Sequence, residues 1–214
     1  MNQNRVLLVF AKAPRAGKVK TRLATHIGDG QALAVYRQMA EEIWSDLRQA
    51  RDDGAFSLWL SFDPPEAEET MRAWLAEGDH YLPQSPGDLG HRLERGILSA
   101  FDEGFRQVAV MGTDTPAATS LRVLEGFEAC VPGVLSMGPS LDGGFYFLAL
   151  SEPRPDLGPL FDHGIWSTPE TGQAVAEGAR RQGLEVRYLA LERDIDTVGD
   201  LEAHLRSFEE RTTA

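Results

Sequence analysis

The first 28 residues carry Arg5, Lys12, Arg15, Lys18, Lys20 and Arg22 and no carboxylate; the first acid is Asp29. Most of these cations lie in one stretch, Phe10–Leu23 (FAKAPRAGKVKTRL), directly after a short apolar run. Lysine and arginine supply countercharge to a phosphate, Gly17 lets the backbone come close to it, and N–H groups opening a following helix can face it. Ala11, Lys12, Gly17, Lys20 and Arg22 are therefore candidate phosphate-binding positions of a nucleotide site, with a solvated basic loop as the plain alternative. A Walker P-loop is excluded, because alignment on Gly17-Lys18 puts Lys12 at its first glycine and Val19 at its hydroxyl position. Gly28-Asp29-Gly30 lacks the third glycine of a dinucleotide fingerprint and follows no strand.

Three acidic constellations complement the basic turn. In Gly112-Thr-Asp114-Thr-Pro116 a carboxylate ends a strand, where Mg²⁺ or Mn²⁺ can use one or two protein ligands and bridge phosphate oxygens. The alternative for Asp114 is an Asx-turn or a helix cap. In Gly138-Pro-Ser-Leu-Asp142-Gly-Gly144, paired glycines permit a tight turn presenting Asp142 to a ligand, and equally a hairpin. In Asp194-Ile-Asp196-Thr197, either Asp196 or Thr197 can cap the last helix, and Asp196 can instead be a second metal ligand. Five histidines and one cysteine show no zinc spacing, and there is no G-x-S-x-G elbow.

The elements that must position these residues follow from periodicity. Val6–Phe10 suits a strand buried on both faces. A helix over 29–51 follows, with Leu33, Tyr36, Ala40, Ile43 and Leu47 inward, then a strand at Phe56–Leu60, a helix over 66–76 and a brief strand near His80–Leu82. Leu89, Leu93, Ile97, Ala100 and Phe101 mark the next helix, Val108–Met111 a fourth strand, and 119–130 a helix with Leu121, Leu124 and Phe127 inward. Strands at Val134–Met137 and Phe145–Leu150 precede an irregular stretch marked by Pro153, Pro155 and Pro159. A helix over 169–182, a strand near Val186–Ala190 and a helix from Val198 close the chain. Strands alternating with helices predict an α/β sandwich: a mainly parallel, doubly wound sheet with ligands at the carboxyl ends of its strands.

With 214 residues, 42% of them apolar, the chain is read as one domain spanning 1–214. A net charge of −12 repels polyanions, so no nucleic-acid polymer is expected as a partner. Cys130 is the only cysteine and the run Val6–Ala11 is far too short to span a membrane, which points to a cytoplasmic protein without membrane attachment.

Taken in order, FAKAPRAGKVKTRLA at 10–24, QSPGDLGHRL at 84–93, MGTDTP at 111–116, GPSLDGGFYFLAL at 138–150, IWST at 165–168 and DIDTVGDL at 194–201 resemble a bacterial family of nucleotide-diphospho-sugar transferases, the radical-SAM/selenodomain-associated or arsenosugar-biosynthesis type. The resemblance spans almost the whole chain. It implies a three-layer α/β/α, GT-A-like fold with a mixed sheet, and Asp114 and Asp196 as ligands of Mg²⁺ or Mn²⁺. It also implies that the loop carrying Gln84, Gly87, Asp88, Gly90 and Arg92 contacts the base or ribose, with Gln84 and Asp88 on a base edge; Asp88 can instead cap the helix it precedes. Val198-Gly199 replaces the related nucleotidyltransferases' Pro-Glu, and Gly-Thr-Asp-Thr-Pro the family's commoner Gly-Ser-Asp-Cys/Ser-Pro. The implied activity is glycosyl transfer from a nucleotide-sugar to a small acceptor, with Lys20 and Arg22 stabilising the departing diphosphate and Asp142 positioning the acceptor or acting as base. Nucleotidyl transfer from a nucleoside triphosphate to a phosphorylated acceptor is the alternative, which the crowded basic loop suits. A nucleotide-binding protein without activity is the third reading. Sequence does not name base, sugar, acceptor or oligomeric state.

Overall fold

A computed structural model describes residues 4–153 and 156–212; the predicted irregularity at Pro155 lies outside them. Among the described residues seven strands form one sheet: β1 Arg5–Lys12, β2 Ser57–Asp63, β3 His80–Pro83, β4 Gln107–Met111, β5 Val134–Pro139, β6 Phe145–Ser151 and β7 Glu185–Tyr188. Their order is β3-β2-β1-β4-β6-β5-β7, and β6 alone runs antiparallel to its neighbours. The mixed α/β sandwich expected from the alternation of elements is present.

β1 is longer than its apolar run because parallel pairing with β2 continues to Lys12 opposite Asp63. Its side chains alternate between two cores. Leu7 and Val9 pack with Ile43, Trp44, Phe62, Phe127 and Phe147, whereas Val6 and Leu8 pack with Ile97, Phe101, Leu160 and Val175. Burial on both faces explains why this strand has no polar alternation.

The helices are α1 Thr21–Ile27, α2 Asp29–Asp52, α3 Glu68–Trp74, α4 Leu89–Asp102, α5 Ser120–Ala129, α6 Gly158–Phe161, α7 Thr171–Arg181 and α8 Val198–Thr212. Helix α1 is not anticipated by periodicity, since it buries only Leu23. The helix expected over 66–76 is a 3-10 turn, Pro65–Ala67, leading into the shorter α3. In α5 the inward residues are Val123, Gly126 and Phe127, and Leu121 is 63% exposed, correcting the assignment of Leu121 to the core. The Phe147 ring explains the rotation: it occupies the place a side chain at Gly126 would take, so that glycine faces the sheet. Among the described residues, no helix is long and apolar enough to cross a membrane.

Between β1 and β4 the strand order reverses: the chain first builds toward β3, then returns to the other side of β1. A crevice opens at such a switch point, at the carboxyl ends of the strands.

Candidate nucleotide and metal site

A cavity of about 720 Å³ occupies that crevice, within the usual range for a small-ligand site. The loop after β1 contributes Lys12, Lys18, Lys20 and Arg22 to its wall, the loop after β4 contributes Thr113 and Asp114, and the β5–β6 turn contributes Asp142 and Gly144. Asp194 and Asp196 enter from the segment before α8. Basic and acidic elements separated along the chain therefore line one space.

Lys20 sits at the centre of the arrangement. Its backbone is left-handed, with φ 47° and ψ 42°, just before α1. Its side chain is only 2% exposed, and its Nζ lies 2.5 Å from Asp114 Oδ1 and 3.0 Å from Asp196 Oδ1. Burial opposes its charge, but Asp114 and Asp196 outweigh that effect and raise its pKa, so it stays an ammonium. Arg22 reaches the other oxygen of Asp196 at 3.7 Å and is itself largely exposed.

The two acidic loops are joined to each other. Ile195 N–H donates to the Asp114 carbonyl at 2.9 Å, and the Thr115 hydroxyl donates to the Asp194 carboxylate. Asp194 was not singled out from sequence, where it is one acid among several. Burial foremost, then the charge of Asp142, push its carboxyl up to about 6, against the hydrogen bond from Thr115. The capping question at α8 resolves in favour of Thr197: it receives the Asp200 N–H at 3.3 Å, while Asp200 accepts from the Thr197 N–H at 2.9 Å and hydroxyl at 2.7 Å. This reciprocal cap leaves the Asp196 side chain free to face the cavity.

Asp142 accepts from the Gly144 N–H at 2.9 Å in the turn between β5 and β6, so hairpin geometry and presentation to the cavity hold together. Gly143, at φ 89°, has no room for a side chain because the Pro169 carbonyl occupies the space. Its own carbonyl accepts from Gly172 N–H at 2.9 Å, binding this turn to the start of α7.

The loop before α4 differs most from its sequence reading. Asp88 is outside the cavity lining and caps α4, accepting from His91 N–H at 2.9 Å, because the first turn of a helix has N–H groups without intrahelical partners. Gln84 lines the cavity with its amide engaged by protein: its nitrogen donates to Ser61 O at 3.0 Å and its oxygen accepts from Arg92 at 3.1 Å. Arg92 also donates to Gly87 O at 3.1 Å and stands 3.3 Å from Asp63, so it fixes this loop while lining the cavity. Gly87 lines the cavity at φ 121°. Gly90 does not: its missing side chain makes room for the Trp166 ring and the Phe161 carbonyl.

Gly17 also lies outside the lining; it adopts φ 71° with the Asp29 carboxylate beside it. Ala11 and Lys12 are in the wall, where the Tyr36 hydroxyl accepts from the Lys12 N–H and donates to the Lys12 carbonyl, both at 2.9 Å. Helical periodicity gives Tyr36 only as an apolar position of α2. Burial, then the nearby Asp114 charge, raise its pKa.

The donor set suits a hard divalent cation. Asp114 and Asp196 are half-exposed carboxylates held near one point by a shared ammonium, with room in the cavity for phosphate and water to complete a shell. Among the described residues no group of three or more His, Cys, Asp or Glu residues gathers as a protein-only cage.

Over 156 residues the chain is 31% identical to a phosphoenolpyruvate guanylyltransferase of Geodermatophilus obscurus, covering 69% of this chain and 62% of that protein. It thus spans less than two thirds of that relative. A crystal structure from Desulfovibrio desulfuricans G20, provisionally named a nucleotide-diphospho-sugar transferase, superposes with TM-score 0.87 at 31% identity over 96% of this chain and 87% of the other. At the level of fold alone, a CMP:2-keto-3-deoxy-manno-octonic acid synthetase complexed with CTP matches with TM-score 0.59 and 12% identity, over 98% of this chain and 100% of the other. Residues 46–168 match the family described as "Uncharacterized protein conserved in bacteria (DUF2064)", and the chain belongs to that family.

Proposed function

We propose that this transferase moves a nucleoside monophosphate from a nucleoside triphosphate to a small anionic acceptor, releasing pyrophosphate. The observation that carries this reading is the charge of the cavity. After Lys20 is spent on Asp114 and Asp196, Lys12 and Lys18 still line the same wall, and the largely exposed Arg22, only 3.7 Å from Asp196, can turn to the same triphosphate tail. The guanylyltransferase name of the Geodermatophilus relative agrees with it.

In this scheme the acceptor oxygen attacks the α-phosphorus, the bond from that phosphorus to the β-phosphate oxygen breaks, and pyrophosphate departs with the electron pair. Lys18 and Arg22 neutralise the departing charge, and Lys12 holds the tail at the end of β1. Asp142, in the β5–β6 turn that lines the same cavity, orients the acceptor; for a hydroxyl acceptor it takes the proton. Asp114 and Asp196 would hold Mg²⁺ or Mn²⁺, which when bound supplies charge neutralisation to the phosphates. Arg92 and Gly87 frame the end of the cavity toward β3, where the base fits. The resemblance of six motifs to the radical-SAM-associated transferases supports a finer placement there; the lone Cys130 supports a cytoplasmic enzyme, and the length and composition a single domain.

Glycosyl transfer from a nucleotide-sugar is the second reading, favoured by the Desulfovibrio structure's name and its high superposition. One experiment separates the two. Incubation with each nucleoside triphosphate, Mg²⁺ and a panel of phosphorylated or carboxylated acceptors should release pyrophosphate and join nucleotide to acceptor. Release of a nucleoside diphosphate from a nucleotide-sugar, with no pyrophosphate from any triphosphate, would establish glycosyl transfer instead.

A further inference from the structure

From the position of Lys20 we infer that this lysine is a tethered cation which closes the carboxylate pair to free metal ions, so that the divalent cation enters only together with the nucleotide. The inference rests on the nucleotide-transfer reading, but concerns the order in which that site is filled.

Three observations support it. Nζ contacts one oxygen of each carboxylate, 2.5 Å to Asp114 and 3.0 Å to Asp196, so it stands in the space between the two groups that a shared cation would take. The side chain has little freedom to leave: it is 2% exposed and springs from a left-handed backbone position that fixes its departure from the chain. The carboxylates are held toward it from behind, by the Ile195–Asp114 backbone bond and the Thr115–Asp194 bond joining their loops. Withdrawal of the aspartates from Lys20 would require these loops to part.

A divalent ion approaching the two aspartates therefore meets a charge-compensated pair and a like charge a few ångströms away. Repulsion at that range, in a partly desolvated site, is strong compared with thermal energy. A nucleotide changes the balance. An ammonium has three N–H donors, and the aspartates use two; the remaining one can take a phosphate oxygen from the cavity, which Lys20 lines. With phosphate as a third partner Nζ needs only a small displacement toward the cavity, within the freedom its buried stem allows, to open the pair to the cation that accompanies the phosphates. Lys20 thus acts on the metal by positioning, separately from any contact with the leaving group.

The test uses Mn²⁺ alone, followed by electron paramagnetic resonance, with the full-length protein as wild type, Lys20→Met and the double variant Lys20→Met/Asp114→Asn. The methionine keeps the length and apolar stem of the side chain, and the carboxylates it strands are 51% and 37% exposed and remain hydrated, so the fold should persist. Without nucleotide, Lys20→Met should bind Mn²⁺ at least about 100-fold more tightly than wild type, the range that loss of one adjacent like charge allows. The double variant should lose that site again. Wild type binding Mn²⁺ as tightly as Lys20→Met overturns the inference, and so does absence of Mn²⁺ binding in both, since Lys20 would then not be what keeps the pair closed. A protein that shows the Mn²⁺ difference yet binds no nucleotide with or without Mn²⁺ would sink the nucleotide reading and the coupling to nucleotide with it, leaving only the closure of the carboxylate pair by Lys20.

Discussion

Replacing Asp194 by asparagine should stabilise the protein by an amount that grows from about pH 4 and is complete above about pH 6. The carboxyl is pushed from 3.8 to about 6, first by burial and then by the neighbouring charges of Asp142 and Asp114. The folded chain therefore holds a proton that the unfolded chain has already released between about pH 4 and pH 6, and stability contributed by that proton is lost as pH rises through the window. A displacement of about two pKa units corresponds to about 3 kcal/mol, which partial exposure of the group reduces to about 2 kcal/mol. Asparagine has nearly the same shape and its Oδ1 can still accept from Thr115, so little is lost with the charge. Urea unfolding in the presence of a chelator, from pH 4 to pH 8, should give equal stabilities for wild type and Asp194→Asn at the acid end and about 2 kcal/mol in favour of the variant at the alkaline end. A difference independent of pH, or a variant less stable than wild type at pH 8, would refute the reasoning.

Gly90→Ala should destabilise the fold by about 2 kcal/mol through overpacking against Trp166, lowering Tm while wild-type nucleotide affinity is retained by the folded fraction. Tyr36→Phe leaves the Lys12 N–H and carbonyl without their partner and should cost about 1–3 kcal/mol in denaturant titration. Asp142→Asn should lower kcat for a hydroxyl acceptor by about 100-fold or more with KM for the nucleotide nearly unchanged; equal losses in both constants would assign it to binding rather than proton transfer.

Legibility in the sequence followed the range of the forces involved. Val6–Phe10 was readable as a central strand because burial on both faces writes itself as an unbroken apolar run. Helix α1 was not, since one buried leucine makes no periodic signal and Gly28 separates it from α2 by a single residue. Charges pointed to the loops after β1 and β4, and both line the cavity. The Lys20–Asp196 contact itself joins residues 176 apart, a distance that composition and spacing do not address. For the same reason Gly90 invited a ligand reading: its actual neighbour, Trp166, arrives from the segment after α6. Asp88 shows the opposite failing, where a local capping rule was available and was the one obeyed.

The single reversed strand has an evolutionary corollary. Because β6 runs back from the edge where the other strands end, Asp142 is delivered by a hairpin rather than by a loop that must feed a helix. The turn is nevertheless pinned from outside the hairpin, by the Leu141 N–H on the Glu192 carbonyl, by the Gly172 N–H on the Gly143 carbonyl and by Pro169 pressing where a side chain at Gly143 would stand. Among members of this family, the length of 140–144 should therefore stay as constant as the basic turn, even though it feeds no helix.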